Sequence, residues 1–198
     1  DLTSQWNLAK GLNFNMDFDP KDKKMSMSFA GSNSTIPLYP ILKALGVDDD
    51  TLERAWGKEI LTANMKDKEE AALNKFYKVI KKGSPESLEA AKKFVVEELS
   101  KTQLRPESVK LTLGKEFDQV DGKSLLAGSD RLLKVTRGEQ PPDNRDSLEF
   151  KDLFAAEDLI TNRLERKNKW DIKRKILNGL DKNQRIDQIV SPDHFGKP

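Results

Sequence analysis

Side chains that could carry out acid–base or metal chemistry are sparse in this chain of 198 residues. The single histidine, His194, lies near the end of the sequence beside Pro192 and Asp193. A general base or a metal ligand needs a shaped pocket and oriented partners, and a terminal turn supplies neither. We therefore interpret His194 as a surface residue.

Three consecutive aspartates, Asp48, Asp49 and Asp50, form an acidic cluster. Hard cations do bind carboxylates, but usually in a loop with alternating ligands and a glycine turn, whereas consecutive side chains point in different directions. Negative charge is favourable at the start of a helix because of the helix dipole. We therefore predict a helix start, with Asp50 as the cap and Glu53 three residues on, as in a capping box.

Other signatures of an independent enzyme are missing from the sequence. It contains neither glycine-rich phosphate-binding motif, no Gly-x-Ser-x-Gly elbow and no cysteine nucleophile. Its acidic residues form no recognisable catalytic pair. The lack of cysteine also excludes disulfides and thiolate metal sites, and it fits a reducing compartment.

One local charge asymmetry favours nucleic-acid contact. Positions 163–175 hold seven basic residues against Glu165 and Asp171, whereas the whole chain has a net charge of only +2. Lysine and arginine bind a phosphate backbone by displacing condensed counterions. The alternative is a solvated helix face or a surface against an acidic partner. The candidate nucleic-acid-binding residues are Arg163, Arg166, Lys167, Lys173 and Arg174.

The first predicted element of secondary structure is a β-hairpin over residues 12–29. Apolar residues alternate with polar ones on both sides of a turn at Asp19–Lys23. The alternating residues are Leu12, Phe14, Met16 and Phe18, then Met25, Met27 and Phe29.

Residues 35–47 predict an extended approach followed by a short buried helix. Pro37 favours extended geometry in the residue before it, and Pro40 suits a first helical position. Gly46 can adopt the left-handed conformation that ends a helix.

The remainder is mainly helical by its spacing of apolar residues. Residues 107–120 are ambiguous between strand and helix, and residues 139–144 are the best candidate linker. The fold class is therefore α+β and helix-rich, with an N-terminal β-hairpin and short helices. The predicted helices cover about 51–59, two segments within 66–100, then 124–135, 147–167, 170–180 and 181–190. No run approaches the roughly 20 apolar residues of a membrane span.

The order of these motifs resembles the β subunit of multisubunit DNA-directed RNA polymerase. In that family, a hairpin with a Phe-Asp-Pro-Lys-type turn precedes a Leu-Pro-x-x-x-Ile-Leu-Arg-Ala-Leu-Gly motif, similar to residues 17–22 and 36–46 here. Residues 142–148 look like the family's Asp-Asp-x-Asp-His-Leu stretch. The closing residues 191–198 resemble the approach to the fork-loop region.

Two departures from the family pattern suggest a divergent subunit, such as that of a large phage or other virus. Ser147 stands in place of the family histidine, and Glu149–Asp152 replaces a Gly-Asn-x-Arg continuation. The chain also starts without an initiator methionine, so we expect a segment of a longer protein. Its expected location is the host cytoplasm or the virion.

The resemblance implies a lobe-like domain at 1–142 and a returning segment of the protrusion-like domain at 143–198. Together they would form part of one wall of the DNA cleft, without catalytic residues. The resemblance implies no cofactor in this segment, because magnesium in the parent complex is bound by another subunit. The implied partners are the rest of the β-type subunit, the β′-type subunit, a promoter-specificity factor and DNA, with no membrane.

An alternative remains open from the residues themselves. The chain could be a stand-alone helical module that binds nucleic acid or another protein through the basic stretch at 163–175. Salt-dependent binding by the isolated chain distinguishes the two hypotheses, because one wall of a cleft is expected to bind duplex DNA weakly by itself.

Overall fold

Four antiparallel strands followed by seven helices make up the part of the chain that the computed structural model describes, residues 3–6, 13–32 and 34–144. The strands are β1 (Thr3–Trp6), β2 (Phe14–Asp19), β3 (Lys24–Phe29) and β4 (Thr35–Pro37). The helices are α1 (Leu38–Ala44), α2 (Asp49–Trp56), α3 (Lys58–Asn64), α4 (Glu69–Lys81), α5 (Leu88–Ser100), α6 (Pro106–Leu113) and α7 (Gly122–Thr136). This confirms the helix-rich α+β class.

All described residues lie in the first of the two units into which the chain divides, Asp1–Arg145 and Asp146–Pro198. The helices predicted after residue 144 therefore lie outside the described residues. The proposed domain boundary between residues 142 and 143 stays a prediction.

The predicted hairpin is confirmed as strands β2 and β3. Phe14 pairs with Phe29, and Met16 pairs with Met27. All four side chains are buried because alternate residues of a strand share one face of the sheet. The two outer strands were not predicted. They are four and three residues long, too short to show an alternating pattern.

Helix α1 begins earlier than predicted. Pro37 is its N-cap, so Pro40 occupies the third helical position rather than the first. A proline is tolerated there because the first four backbone N–H groups of a helix have no partner within the helix. Gly46 does end the helix in the left-handed region, with φ of 85°, as the sequence predicts.

The start of helix α2 corrects one prediction and confirms another. Its cap is Asp48, whose Oδ1 accepts a hydrogen bond of 2.7 Å from the backbone N–H of Thr51. Asp50 lies in the first turn and does not cap the helix. The expectation that the aspartates mark a helix start is thus confirmed, while the prediction of Asp50 as the cap is wrong.

The helix predicted over 51–59 is interrupted at Gly57. Its φ of 87° separates α2 from α3, and this bend turns the chain toward the hairpin. On α3, the buried Asn64 binds the hairpin turn. Its Oδ1 accepts from the N–H of Met25 at 2.9 Å, and its Nδ2 donates to the carbonyl of Lys23 at 2.8 Å.

The ambiguous segment 107–120 contains a helix, α6, rather than a strand. Val109 and Leu113 alternate with polar residues, but they are also four apart and therefore share one helical face. Both pack against the core while half-buried, and Leu111 between them is 58 % exposed. The alternation therefore did not distinguish the two possibilities.

Helix α7 lies directly against the sheet. A Cβ atom on Gly128 would be 2.3 Å from Trp6 Cζ2 and 2.8 Å from Met16 Cε, so the helix can approach this closely only because residue 128 has no side chain. The ring of Trp6 stacks on Phe14, with centroids 5.1 Å apart. The core is therefore closed between the first strand and the last described helix.

Candidate functional site

The basic residues predicted to bind nucleic acid lie outside the described residues. Arg163, Arg166, Lys167, Lys173 and Arg174 follow residue 144, as does His194. The assignment of this stretch to nucleic-acid binding remains a prediction.

The acidic cluster at the start of α2 serves local structure. Hydrogen bonds from Thr51, first from its backbone N–H and then from its side chain, hold the pKa of Asp48 below its usual value. Asp49 Oδ1 accepts from the Tyr39 hydroxyl at 3.1 Å and lies 3.1 Å from Lys43 Nζ. Within the described ranges, no three carboxylate or histidine groups are arranged to hold a metal ion.

An open cleft of about 320 Å³ lies between the hairpin, the α2–α3 bend and the end of α7. It is lined by Phe18, Pro20, Lys23, Trp56, Gly57, Lys58, Glu59, Ile60, Leu133, Thr136 and Arg137. The hairpin contributes Phe18, Pro20 and Lys23 to this lining. The bend at Gly57 exposes the backbone between the two helices to the cleft.

Trp56 anchors the floor of this cleft to helix α7. Its indole Nε1 donates a buried hydrogen bond of 2.8 Å to Ser129 Oγ, which in turn donates to the carbonyl of Leu126. Arg137 Nη2 donates to the carbonyl of Trp56 at 3.0 Å, satisfying a carbonyl at the end of α2. The bend is thus attached to α7 at both the side chain and the backbone of Trp56.

Three charged residues that line the cleft, Lys23, Glu59 and Arg137, have ionic or hydrogen-bond partners. Lys23 forms an ion pair with Glu59 across the cleft. Arg137 lies 3.9 Å from Glu139 in addition to its bond with Trp56. The residues that line the cleft do not place a nucleophile beside a base. Their contacts join the hairpin, the α2–α3 bend and helix α7.

A second charged feature was missed by the sequence reasoning. Helix α4 and its caps carry exposed lysines at Lys68, Lys75, Lys78 and Lys82. Their spacings of seven, three and four residues place them on one helical face. That spacing was readable from the sequence, but the local net charge is diluted by the acidic first turn of α4, so the segment does not stand out as 163–175 does.

None of the described helices is long and apolar enough to cross a bilayer.

Comparison with known proteins identifies the family. Residues 3–153 match the family described as RNA polymerase Rpb2, domain 2. No curated protein matches the chain. Because the family match covers most of the sequence, from the first strand to beyond the last described residue, the chain belongs to the RNA polymerase Rpb2 domain 2 family and is a segment of the β-type subunit of a multisubunit RNA polymerase.

Proposed function

We propose that this segment forms part of one wall of the DNA cleft in a multisubunit DNA-directed RNA polymerase. In this proposal, residues 1–142 are the lobe-like domain and residues 143–198 return to the protrusion-like domain. The observation that carries the proposal is the family match over residues 3–153. The resemblance of the hairpin turn and of residues 36–46 to β-subunit motifs supports it further.

The proposed role is to shape the cleft rather than to catalyse nucleotide addition. The aspartates that bind magnesium are expected on the β′-type subunit, and the lysines that contact the transcript are expected elsewhere on the β-type subunit. In support, the carboxylates described at Asp48 and Asp49 already serve a helix cap and a tyrosine–lysine contact. The partners would be both large subunits, a promoter-specificity factor and DNA.

Arg163, Arg166, Lys167, Lys173 and Arg174 would face the DNA backbone in this arrangement. The test is photo-crosslinking in the assembled polymerase bound to labelled duplex DNA, with the crosslinking amino acid placed at position 166 or 173. We expect DNA adducts from both positions. The same substitution at Lys115, an exposed residue of the described part, serves as the background control.

The absence of DNA adducts from every position tested in this chain would contradict the cleft-wall proposal. Adducts to another polymerase subunit alone would point instead to a subunit interface at 163–175.

The second candidate function is that this segment, apart from the assembled polymerase, acts as a stand-alone module that binds nucleic acid or another protein. The basic stretch at 163–175 favours it, because its charge does not depend on a partner subunit. The isolated chain would then bind duplex DNA with a steep salt dependence, and the triple variant R166Q/K173Q/R174Q would lose that binding. Weak binding by the wild-type chain that is unaffected by this substitution favours the cleft-wall function.

We also propose a viral source for the subunit. Ser147 and the replaced continuation at Glu149–Asp152 support this proposal, since both depart from the family pattern. Mass spectrometry of purified virions and of infected-cell cytoplasm tests it. Detection only in uninfected cells would contradict it.

A further inference from the structure

Helix α4 presents a row of lysines that no described residue neutralises. The row consists of Lys68, Lys75, Lys78 and Lys82, all exposed, and we call it the α4 lysine row. At 3.6 residues per turn and 1.5 Å per residue, the four positions fall within about 80° of arc and span roughly 21 Å. Ala71 occupies the remaining position of the same face, so no acidic residue interrupts the row.

The lysine row lies away from the core and away from the acidic side chains of α4. The buried face of the helix is formed by Ala72, Leu73 and Phe76. The acidic residues, Glu69 and Glu70, are confined to the first turn, and Glu69 is already 3.2 Å from Lys92 of α5.

None of the four ammonium groups lies within ion-pair distance of a carboxylate in the described part of the chain. Several other lysines do have such a partner. Lys101 pairs with Glu98, and Lys110 pairs with Glu116, each at 2.6 Å.

Both ends of the row place lysine where helix stability favours another residue. Lys68 is the N-cap and makes no capping hydrogen bond. Serine, threonine, aspartate or asparagine would cap the helix there, and positive charge opposes the dipole. Lys82 is the C-cap in the left-handed region, with φ of 54°, where glycine or asparagine is preferred.

Local stability explains only part of the row. The dipole favours cations at the C-terminal end of the helix, which accounts for the charge of Lys78 and of Lys82. It does not account for Lys75 in the middle of the helix, and it disfavours Lys68. Residues that break local rules without a structural gain are expected at functional surfaces.

We propose that the α4 lysine row contacts the phosphate backbone of duplex DNA in the assembled polymerase. This inference rests on the proposed cleft-wall function and adds DNA contacts to those proposed for residues 163–175. B-DNA carries a phosphate every 3.4 Å per strand, so a row of roughly 21 Å runs alongside about six base pairs. Flexible lysine stems with point charges suit contacts that position the duplex without reading its sequence.

The salt dependence of DNA binding tests the proposal. The assembled polymerase is prepared with wild-type subunit, with K75Q/K78Q/K82Q, and with the control K93Q/K115Q/K123Q. The control removes the same charge from exposed positions elsewhere in the described part. Affinity for two duplexes of unrelated sequence is measured over a range of potassium chloride concentrations.

We expect the row variant to reduce the slope of log affinity against log salt by about 2 to 3, at roughly 0.9 per phosphate contact. The reduction should be the same for both duplexes, because phosphate contacts carry no sequence information. The control variant should keep the wild-type slope. Equal slopes for all three proteins, or equal losses in both variants, would overturn the proposal.

Crosslinking separates this inference from the proposed function. A photo-crosslinking amino acid at position 78 should form adducts with duplex DNA in the assembled polymerase. Adducts from positions 166 and 173 without any from 78 would overturn the role of the row and leave the cleft-wall function standing. Adducts from 78 to a polymerase subunit instead of DNA would assign the row to a subunit interface and overturn the proposal.

Discussion

Trp56 and Ser129, on helices α2 and α7, are joined by a buried hydrogen bond of 2.8 Å from the indole Nε1 to the hydroxyl Oγ. The substitution Trp56→Phe removes the donor and leaves part of the indole volume empty. We expect a loss of about 1–3 kcal/mol in the free energy of unfolding, measured by urea denaturation with circular dichroism.

The matched control for this prediction is Trp6→Phe. Trp6 Nε1 is also buried, but it has no hydrogen-bond partner in the described part of the chain. Its replacement therefore loses packing without losing a hydrogen bond to any described residue. A loss for Trp6→Phe equal to that for Trp56→Phe would show that packing, rather than the bond to Ser129, accounts for the effect.

Gly128→Ala should destabilise the protein although alanine is the better helix former. The new methyl group would lie 2.3 Å from Trp6 and 2.8 Å from Met16. Overpacking of this kind costs about 1–3 kcal/mol, which exceeds the gain of roughly 1 kcal/mol from helix propensity. The control is Gly83→Ala, where the nearest neighbouring atom is in Tyr77 at 3.9 Å. A lower melting temperature for Gly128→Ala alone is the expected result.

Asp48→Ala should destabilise the protein at neutral pH, and the effect should fade in acid. The hydrogen bonds from Thr51 lower the pKa of Asp48 below 3.8, so the charged form is favoured in the folded state. Its contribution is present above that ordinary value and is lost as pH falls through the lower folded pKa. Urea midpoints compared at neutral and acidic pH measure the change.

Two variants test whether the cap is at residue 48. Asp48→Asn keeps a capping oxygen and should retain most of the stability without the pH dependence. Asp50→Ala should have a smaller effect, because Asp50 lies in the first turn and makes no cap bond. Equal destabilisation by Asp48→Ala and Asp50→Ala would be inconsistent with this assignment.

The protein should lose stability at alkaline pH partly through Tyr39. Burial, followed by the hydrogen bond and charge of Asp49, raises the pKa of Tyr39 above 10.0. The folded state favours the neutral phenol, so this contribution to stability is complete below pH 10.0 and is lost as pH rises through the raised folded pKa.

The titration of Tyr39 can be measured by tyrosinate absorbance in the Tyr77→Phe variant, in which Tyr39 is the one remaining tyrosine. The pKa measured in this variant should lie above the ordinary value for tyrosine. Adding Asp49→Asn should lower that pKa, and an unchanged titration would refute the role of Asp49.

The hairpin could be predicted because strands that bury one face alternate over six residues each, as Phe14 to Phe29 show. Strands β1 and β4 could not be predicted from the sequence. They form by pairing with β2 and β3, and their own composition does not show this pairing. Likewise, three identical aspartates in a row cannot show by their types alone that Asp48 rather than Asp50 caps the helix. The local sequence pattern therefore predicts that a strand or helix exists, whereas its first and last residues depend on contacts with other elements.

The candidate site was less predictable than the fold. The cleft depends on Gly57, whose positive φ is not evident from its neighbours, and on Arg137, which reaches the carbonyl of Trp56 from 81 positions away. No local pattern encodes such a contact. The spacing of the α4 lysine row was visible in the sequence. That its lysines form no ion pair with the described carboxylates could be seen only from the positions of those carboxylates in the structure.

The contact between Trp6 and Gly128 also has a consequence for synthesis of the chain. Each strand of the sheet pairs with its neighbours in sequence, so the sheet can assemble as the chain leaves the ribosome. The face of Trp6 that packs on α7 has no cover until residue 128 has emerged. A nascent chain that stalls before this point is expected to expose an aromatic surface, and exposed apolar surface of this kind promotes aggregation.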